Sequence, residues 1–348
     1  MINSQRNKIA PISIFFMLYI SRVVVTLTNM QSVSSGMINT DMLISIVLAL
    51  GLNLLLCLPA IWCYKNNKSP FEVKGVNLFY ALYFIYLAGI NISRFSYFAS
   101  TVLNPEASAW VFSLIIAVCA GYASRFGIEG LSRFSAFGFI LIVLTVLAGT
   151  MFNFKNYDEI NLYPVITNGS REIAENVFYI TSSSVEVIVL LCLGKRVNGS
   201  AVKPFVFSVI ASFLTTFILI LFINATMGDA ANLQAFPVYT MFQLAKIGLF
   251  ERLDILQISF WIFGIFIKSV LLIYCSSISI KSYKNSTKCI IATVLSLAVA
   301  FVLTEFTDTS TITPTVYVAP YFVACVLIPL LTLIFKKKNS GDELIEKF

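Results

Sequence analysis

The 348-residue chain contains no histidine. Without imidazole there is no HExxH-type metal site, no serine–histidine triad and no histidine proton relay. Charge is scarce too, at 12% of residues, against about 25% in soluble domains. A water-soluble fold is therefore not expected. The seven cysteines, at 57, 63, 119, 192, 275, 289 and 325, form no CxxC pair and fall mostly within or at the ends of apolar runs. They read as small core hydrophobes rather than disulfides or metal ligands. The sequence shows no nucleotide-binding loop and no paired carboxylates at membrane depth. Neither an enzyme, nor a metal site, nor a cofactor is expected.

What is present is hydrophobicity, at 58% of residues. Ten apolar segments, each near the ~20 residues a helix needs to cross a bilayer, fall at about 9–28, 42–63, 76–100, 108–123, 133–152, 173–193, 203–225, 254–277, 287–305 and 315–335. The expectation is an all-α integral membrane protein with ten transmembrane helices. The run after the polar, basic Met1–Lys8 lacks a small-residue cleavage site, so it reads as a retained first span.

The net charge of +7 does not point to nucleic acid, because the basic residues cluster in short segments between apolar runs. With the N-terminus inside, the inner segments collect 17 lysines and arginines against 4 in the outer loops. That bias predicts cytoplasmic N- and C-termini. Residues 1–348 form one membrane domain, ending in a short tail, 336–348. Ten spans divide into five and five, about 9–152 and 173–335. Because five is odd, the second half enters the membrane from the opposite side, the arrangement of inverted-repeat transporters.

Within the spans, polar residues mark candidate function. On the eighth, Asp254, Gln257, Trp261, Gly264 and Lys268 recur at steps of three and four, an arc of roughly 80° on a helix. A polar stripe of this kind should face other helices or a cavity rather than lipid. The first span holds Ser21, Arg22 and Thr26, and the sixth holds Thr181, Ser182, Ser183, Ser184 and then Glu186. Arg22 is either an anion-recognising fork for a substrate carboxylate or the partner of Glu186. Glu186 and Lys268, at equal depth, suit an ion pair, or a coupled carboxylate tuned by the lysine. The hydroxyl cluster at 181–184 is either an unwound, ligand-binding midpoint or a small-residue packing surface. Tyr97 lines an outer vestibule or serves as an interfacial aromatic, and Arg94 is expected to reach outward. Glu251, Arg252 and Asp254 are expected to cap and orient the eighth helix.

Several segments carry a family likeness. LFERLDILQISFWIFGIFIKSVLLIY at 249–274, PVYTMFQ at 237–243, YASRFGIEGLSRFS at 122–135, and INLYPVITNG with SVEVIVLLCLG at 160–169 and 184–194 resemble the B-subunit family of bacterial spore germinant receptors. That family is an offshoot of the amino acid/polyamine/organocation transporter superfamily. The resemblance implies a LeuT-like ten-helix fold in the spore inner membrane and assembly with a larger A subunit and a lipoprotein C subunit. It also implies recognition of a small nutrient, an amino acid being favoured, between the first, third, sixth and eighth helices. A departure lies in the first span, where ISRVVVTLTN at 20–29 has no glycine and a β-branched run resists unwinding. A working amino-acid permease coupled to H⁺ or Na⁺ would use the same cavity, and a scaffold or pore would use none.

Overall fold

The computed structural model describes residues 8–33, 38–73, 75–166, 169–245, 254–280, 284–306 and 315–335, with the side chains of 25–33, 306 and 315–317 outside the description. The tail 336–348, Glu251, Arg252 and the Thr26 side chain thus lie outside the described residues. Among the described residues every regular element is a helix. In chain order these are α1 (Pro11–Val33), α2 (Asp41–Lys65), α3 (Val76–Phe98), α4 (Ala109–Ser124), α5 (Ile128–Phe152), α6 (Ser170–Ser182) and α7 (Glu186–Leu193). They continue with α8 (Val202–Met227), α9 (Pro237–Leu244), α10 (Asp254–Ser279), α11 (Asn285–Phe306), α12 (Thr315–Tyr321) and α13 (Ile328–Phe335).

Eight helical stretches among the described residues are long and apolar enough to cross a membrane, with α6–α7 and α12–α13 each counted as one. Two more apolar helices, Pro11–Val24 and Ala109–Ser124, are shorter. The chain is a multi-pass integral membrane protein. The exposed leucines of α2, Leu55 at 63% and Leu58 at 53%, fit that setting, because lipid makes an outward apolar face costless.

The helices pack as two groups that share a seam. On one side α3, α4, α10 and α11 contact one another; on the other α1 packs on α5 and α8, and α2 packs on α6 and α8. Helix α10 closes the seam against both α1 and α5. Glycine sets how near the backbones come. A methyl group on Gly264 of α10 would sit 2.2 Å from Cγ2 of Val24 on α1, and one on Gly89 of α3 would sit 2.5 Å from Cγ1 of Val299 on α11. Small residues at crossing points are how membrane helices gain contact where lipid offers no hydrophobic drive.

The last span is not a plain helix. Between α12 and α13 lies a π-helical turn, Phe322–Leu327, flanked by Pro320 and Pro329. Proline frees carbonyls that cannot stay unpaired in a membrane. Here the Tyr80 hydroxyl donates to the Ala324 carbonyl at 2.8 Å and the Cys63 thiol to that of Pro329 at 3.2 Å. At the lysine-rich end, Ile9 forms a two-hydrogen-bond bridge with the turn before α8. Its N–H donates to Arg196 O at 2.9 Å, and its carbonyl accepts from Asn198 N at 2.9 Å.

Candidate functional site

The interruption between α6 and α7 follows from three consecutive serines. Their hydroxyls bond back onto the preceding turn: Ser182 to Tyr179 O at 2.9 Å, Ser183 to Ile180 O at 2.8 Å and Ser184 to Ile180 O at 3.1 Å. Side chains that take up helical carbonyls compete with the amides that would continue the helix. Helical pairing lapses at Ser183–Val185, and α7 restarts at Glu186. The carboxylate therefore sits in the first turn of a new helix, where the backbone dipole favours negative charge.

Helix α1 runs unbroken past the same level. The physical difference is plain. Its Ser21 hydroxyl is spent on Glu186 rather than on its own backbone.

Four side chains from three spans meet at the break. Ser21 Oγ donates to Glu186 Oε1 at 3.1 Å, and Arg22 Nη1 to Glu186 Oε2 at 3.5 Å. Lys268 Nζ lies 3.8 Å from Glu186 Oε1 and donates to the Ser21 carbonyl at 2.9 Å. All four are buried, with Arg22 the most exposed at 6%. The Arg22 guanidinium lies over the ring of Phe213 on α8, 3.9 Å from its centroid. Charges this deep persist only when paired, and two cations here face one carboxylate. The donors of Arg22 and Lys268 are of the kind that hold an anionic guest.

The stripe on α10 is buried along its length, but it serves two levels. Trp261 is seven residues from Lys268, about 10 Å along the helix. It packs on Phe95 and Phe98, the latter edge-on at 4.1 Å. Phe98 touches Phe236 and Tyr239, and Tyr97, half-buried, reaches the group through Phe236 at 5.9 Å. Asp254 accepts from the Tyr239 hydroxyl of α9 at 3.2 Å. Gln257 and Trp261 thus belong to an aromatic layer, separate from the charge cluster. Arg94 is buried at 6% exposure instead of reaching outward, in a helix, α3, that packs on α10 and α11.

Three buried polar atoms of the candidate set have no hydrogen-bond partner among the described residues: Thr181 Oγ1, Gln257 Oε1 and Trp261 Nε1. Buried polar groups are ordinarily satisfied, so these are places where a ligand gains hydrogen bonds. One site residue, Phe213, and a buried polar pair elsewhere in the bundle, Tyr321 with Asn53, escaped sequence reasoning. Phe213 carries no signal among 31 phenylalanines. Tyr321 is fully buried and accepts from Asn53 Nδ2 at 3.5 Å. Asn53 was findable, as a lone amide within the apolar run of α2.

Among the described residues the chain is a multi-pass helical bundle with a broken span and a buried charge cluster at the break. Comparison with known proteins sharpens this. Residues 8–312 match the model of a family described as spore germination protein, and the chain belongs to that family. It is also similar to Spore germination protein XB of Bacillus anthracis, at 26% identity over 201 residues. That match covers 56% of this chain and 55% of the relative, so the chain spans about half the length of the curated relative it matches.

Proposed function

We propose that this chain is the membrane subunit of a spore nutrient receptor, binding a small carboxylate-bearing germinant, an amino acid before others, at the break between α6 and α7. The observation that carries this reading is Arg22, Lys268 and Glu186 buried together against Ser183–Val185. A ligand carboxylate would be held by the planar fork of Arg22. The Thr181 hydroxyl, without a partner among the described residues, would receive another polar group of the same ligand. Binding can signal only through different affinity for two states of the bundle. The break is the natural place for them to differ. Transmission would pass to A and C receptor subunits in the spore inner membrane.

The same reading has ten spans in two inverted halves, with both termini cytoplasmic. Helix α1, with 23 residues, is about 35 Å long and sufficient to cross. Helix α4, with 16, is about 24 Å long and would be met by local thinning of the bilayer.

The test is a thermal-shift screen of the purified full chain against amino acids, sugars and nucleosides. Stabilisation by one or more amino acids is expected, with at least about tenfold weaker binding in Arg22→Lys, which keeps the charge but loses the fork. No shift with any compound would overturn the ligand-binding reading. Gradient-driven accumulation of amino acid in proteoliposomes holding this chain alone would replace the receptor with a permease.

A further inference from the structure

At the lysine-rich end of the bundle lies a cleft of roughly 440 Å³, walled by the C-terminal ends of α2 and α7 and by the turn leading into α8. Sites for small molecules commonly fall between about 300 and 1,000 Å³. We propose that this cleft binds a phosphate ester, supplied by the headgroup of an anionic membrane lipid.

The chemistry of the walls is suited to phosphate. Lys65 and Lys195 line the cleft together with the exposed Ser200, while the Tyr64 hydroxyl, also in the wall, donates to the Gly199 carbonyl at 3.4 Å. Lys195 is ion-paired with Glu72, whereas no hydrogen bond or ion pair involves the Lys65 ammonium among the described residues. Lys68, between two lining residues, is turned to the Leu333 carbonyl at 2.8 Å. Two lysines, Lys65 and Lys195, thus stand in the wall of the cleft. The mouth also adjoins the start of α8, a 26-residue helix whose N-cap, Ala201, has no side chain able to cap it. Its leading amides and dipole add to the positive potential of the lysines.

The position of the cleft selects a lipid over a soluble phosphate. Trp62, the residue before the first lining position, is 65% exposed, and Ile334 and Phe335 on the neighbouring α13 are 71% and 79% exposed. Exposed aromatic and aliphatic side chains at the ends of spans mark the level of lipid headgroups. A headgroup in the cleft would keep its acyl chains along the apolar faces of α2 and α13. Basic pockets between spans are suited to that kind of guest.

The experiment is native mass spectrometry of the full chain, released from micelles that contain equal amounts of phosphatidylglycerol and phosphatidylcholine. Phosphatidylglycerol should be retained at least about threefold more. Lys65→Gln/Lys195→Gln should abolish the preference, while Arg125→Gln/Arg133→Gln, which removes equal charge where α4 meets α5, should keep it. An equal loss in both double variants would overturn the site in favour of diffuse attraction. Displacement of the lipid by millimolar inorganic phosphate would overturn the assignment to a lipid. Should the lysine variant not fold, Ser200→Asp places a carboxylate at the exposed mouth and should reverse the preference. Retention unchanged in Ser200→Asp would overturn the proposal.

Discussion

The Lys268 ammonium of α10 donates to the backbone carbonyl of Ser21 on α1 at 2.9 Å. A carbonyl inside a helix has a second lone pair to offer, so the bond ties two spans without breaking either. The same ammonium stands 3.8 Å from Glu186 at the start of α7. One lysine thus joins three helices, and its removal should be felt in all of them.

The charge cluster sets an order of damage. Glu186→Gln leaves two buried cations facing each other, while Lys268→Met leaves Glu186 with Arg22 and Ser21. Removing one member of a buried pair costs about 3–5 kcal/mol, so both should lower the thermal midpoint, Glu186→Gln more steeply. The double variant should cost less than the sum of the two singles, because the groups share one interaction. Equal and additive losses in a thermal-unfolding series would refute the coupling.

Closing the helix break should silence the site without unfolding the protein. In Ser183→Ala/Ser184→Ala the hydroxyls no longer compete for the Ile180 carbonyl, and alanine is the better helix former by a few tenths of a kcal/mol per residue. Stability should be unchanged or slightly raised, and hydrogen exchange at the amides of 185–188 should slow. Ligand-induced stabilisation should fall at the same time.

Gly264 allows α1 to approach α10. Gly264→Ala drives a methyl group into Val24, at 2.2 Å before relaxation, and overpacking of this kind costs about 1–3 kcal/mol. The informative variant is Gly264→Ala/Val24→Ala, in which the clash is relieved. Recovery of most of the lost thermal stability is the expected result.

Trp261 is a built-in reporter. It is 3% exposed, whereas Trp62 and Trp110 are 65% and 48% exposed, and these are the three tryptophans of the chain. In Trp62→Phe/Trp110→Phe the remaining emission should be blue-shifted. It should change on addition of a germinant whose bound state repacks the layer of Phe98 and Phe236. Silence of that signal while the ligand binds would separate the aromatic layer from the binding event.

The sequence was most informative where chemistry conflicts with solvent. A lysine, an aspartate and a glutamine on one arc of an apolar helix had to be buried, and periodicity alone placed them. The serine run likewise foretold trouble for a helix, since hydroxyl competition is local and needs no tertiary knowledge. Tertiary packing was not legible. Arg94 looked close enough to an end to escape, but it is buried in α3. Phe213 under Arg22 is one phenylalanine of many. The split of the α10 stripe into a charge level and an aromatic level arises from neighbours contributed by α3 and α9, and no pattern within α10 records them.

Helices α1 and α7 are fastened at two heights. In the core, Ser21 and Arg22 hold Glu186; at the lysine-rich end, Ile9 holds Arg196 and Asn198. Two rods pinned at two points form a linkage, and neither can slide along the other without breaking a pin. A ligand that bends the chain at Ser183–Val185 would therefore move α7 together with α1, which is continuous past the break. The bending of a few residues at the middle of the bundle would then arrive at the lysine-rich face as a displacement of two whole helix ends.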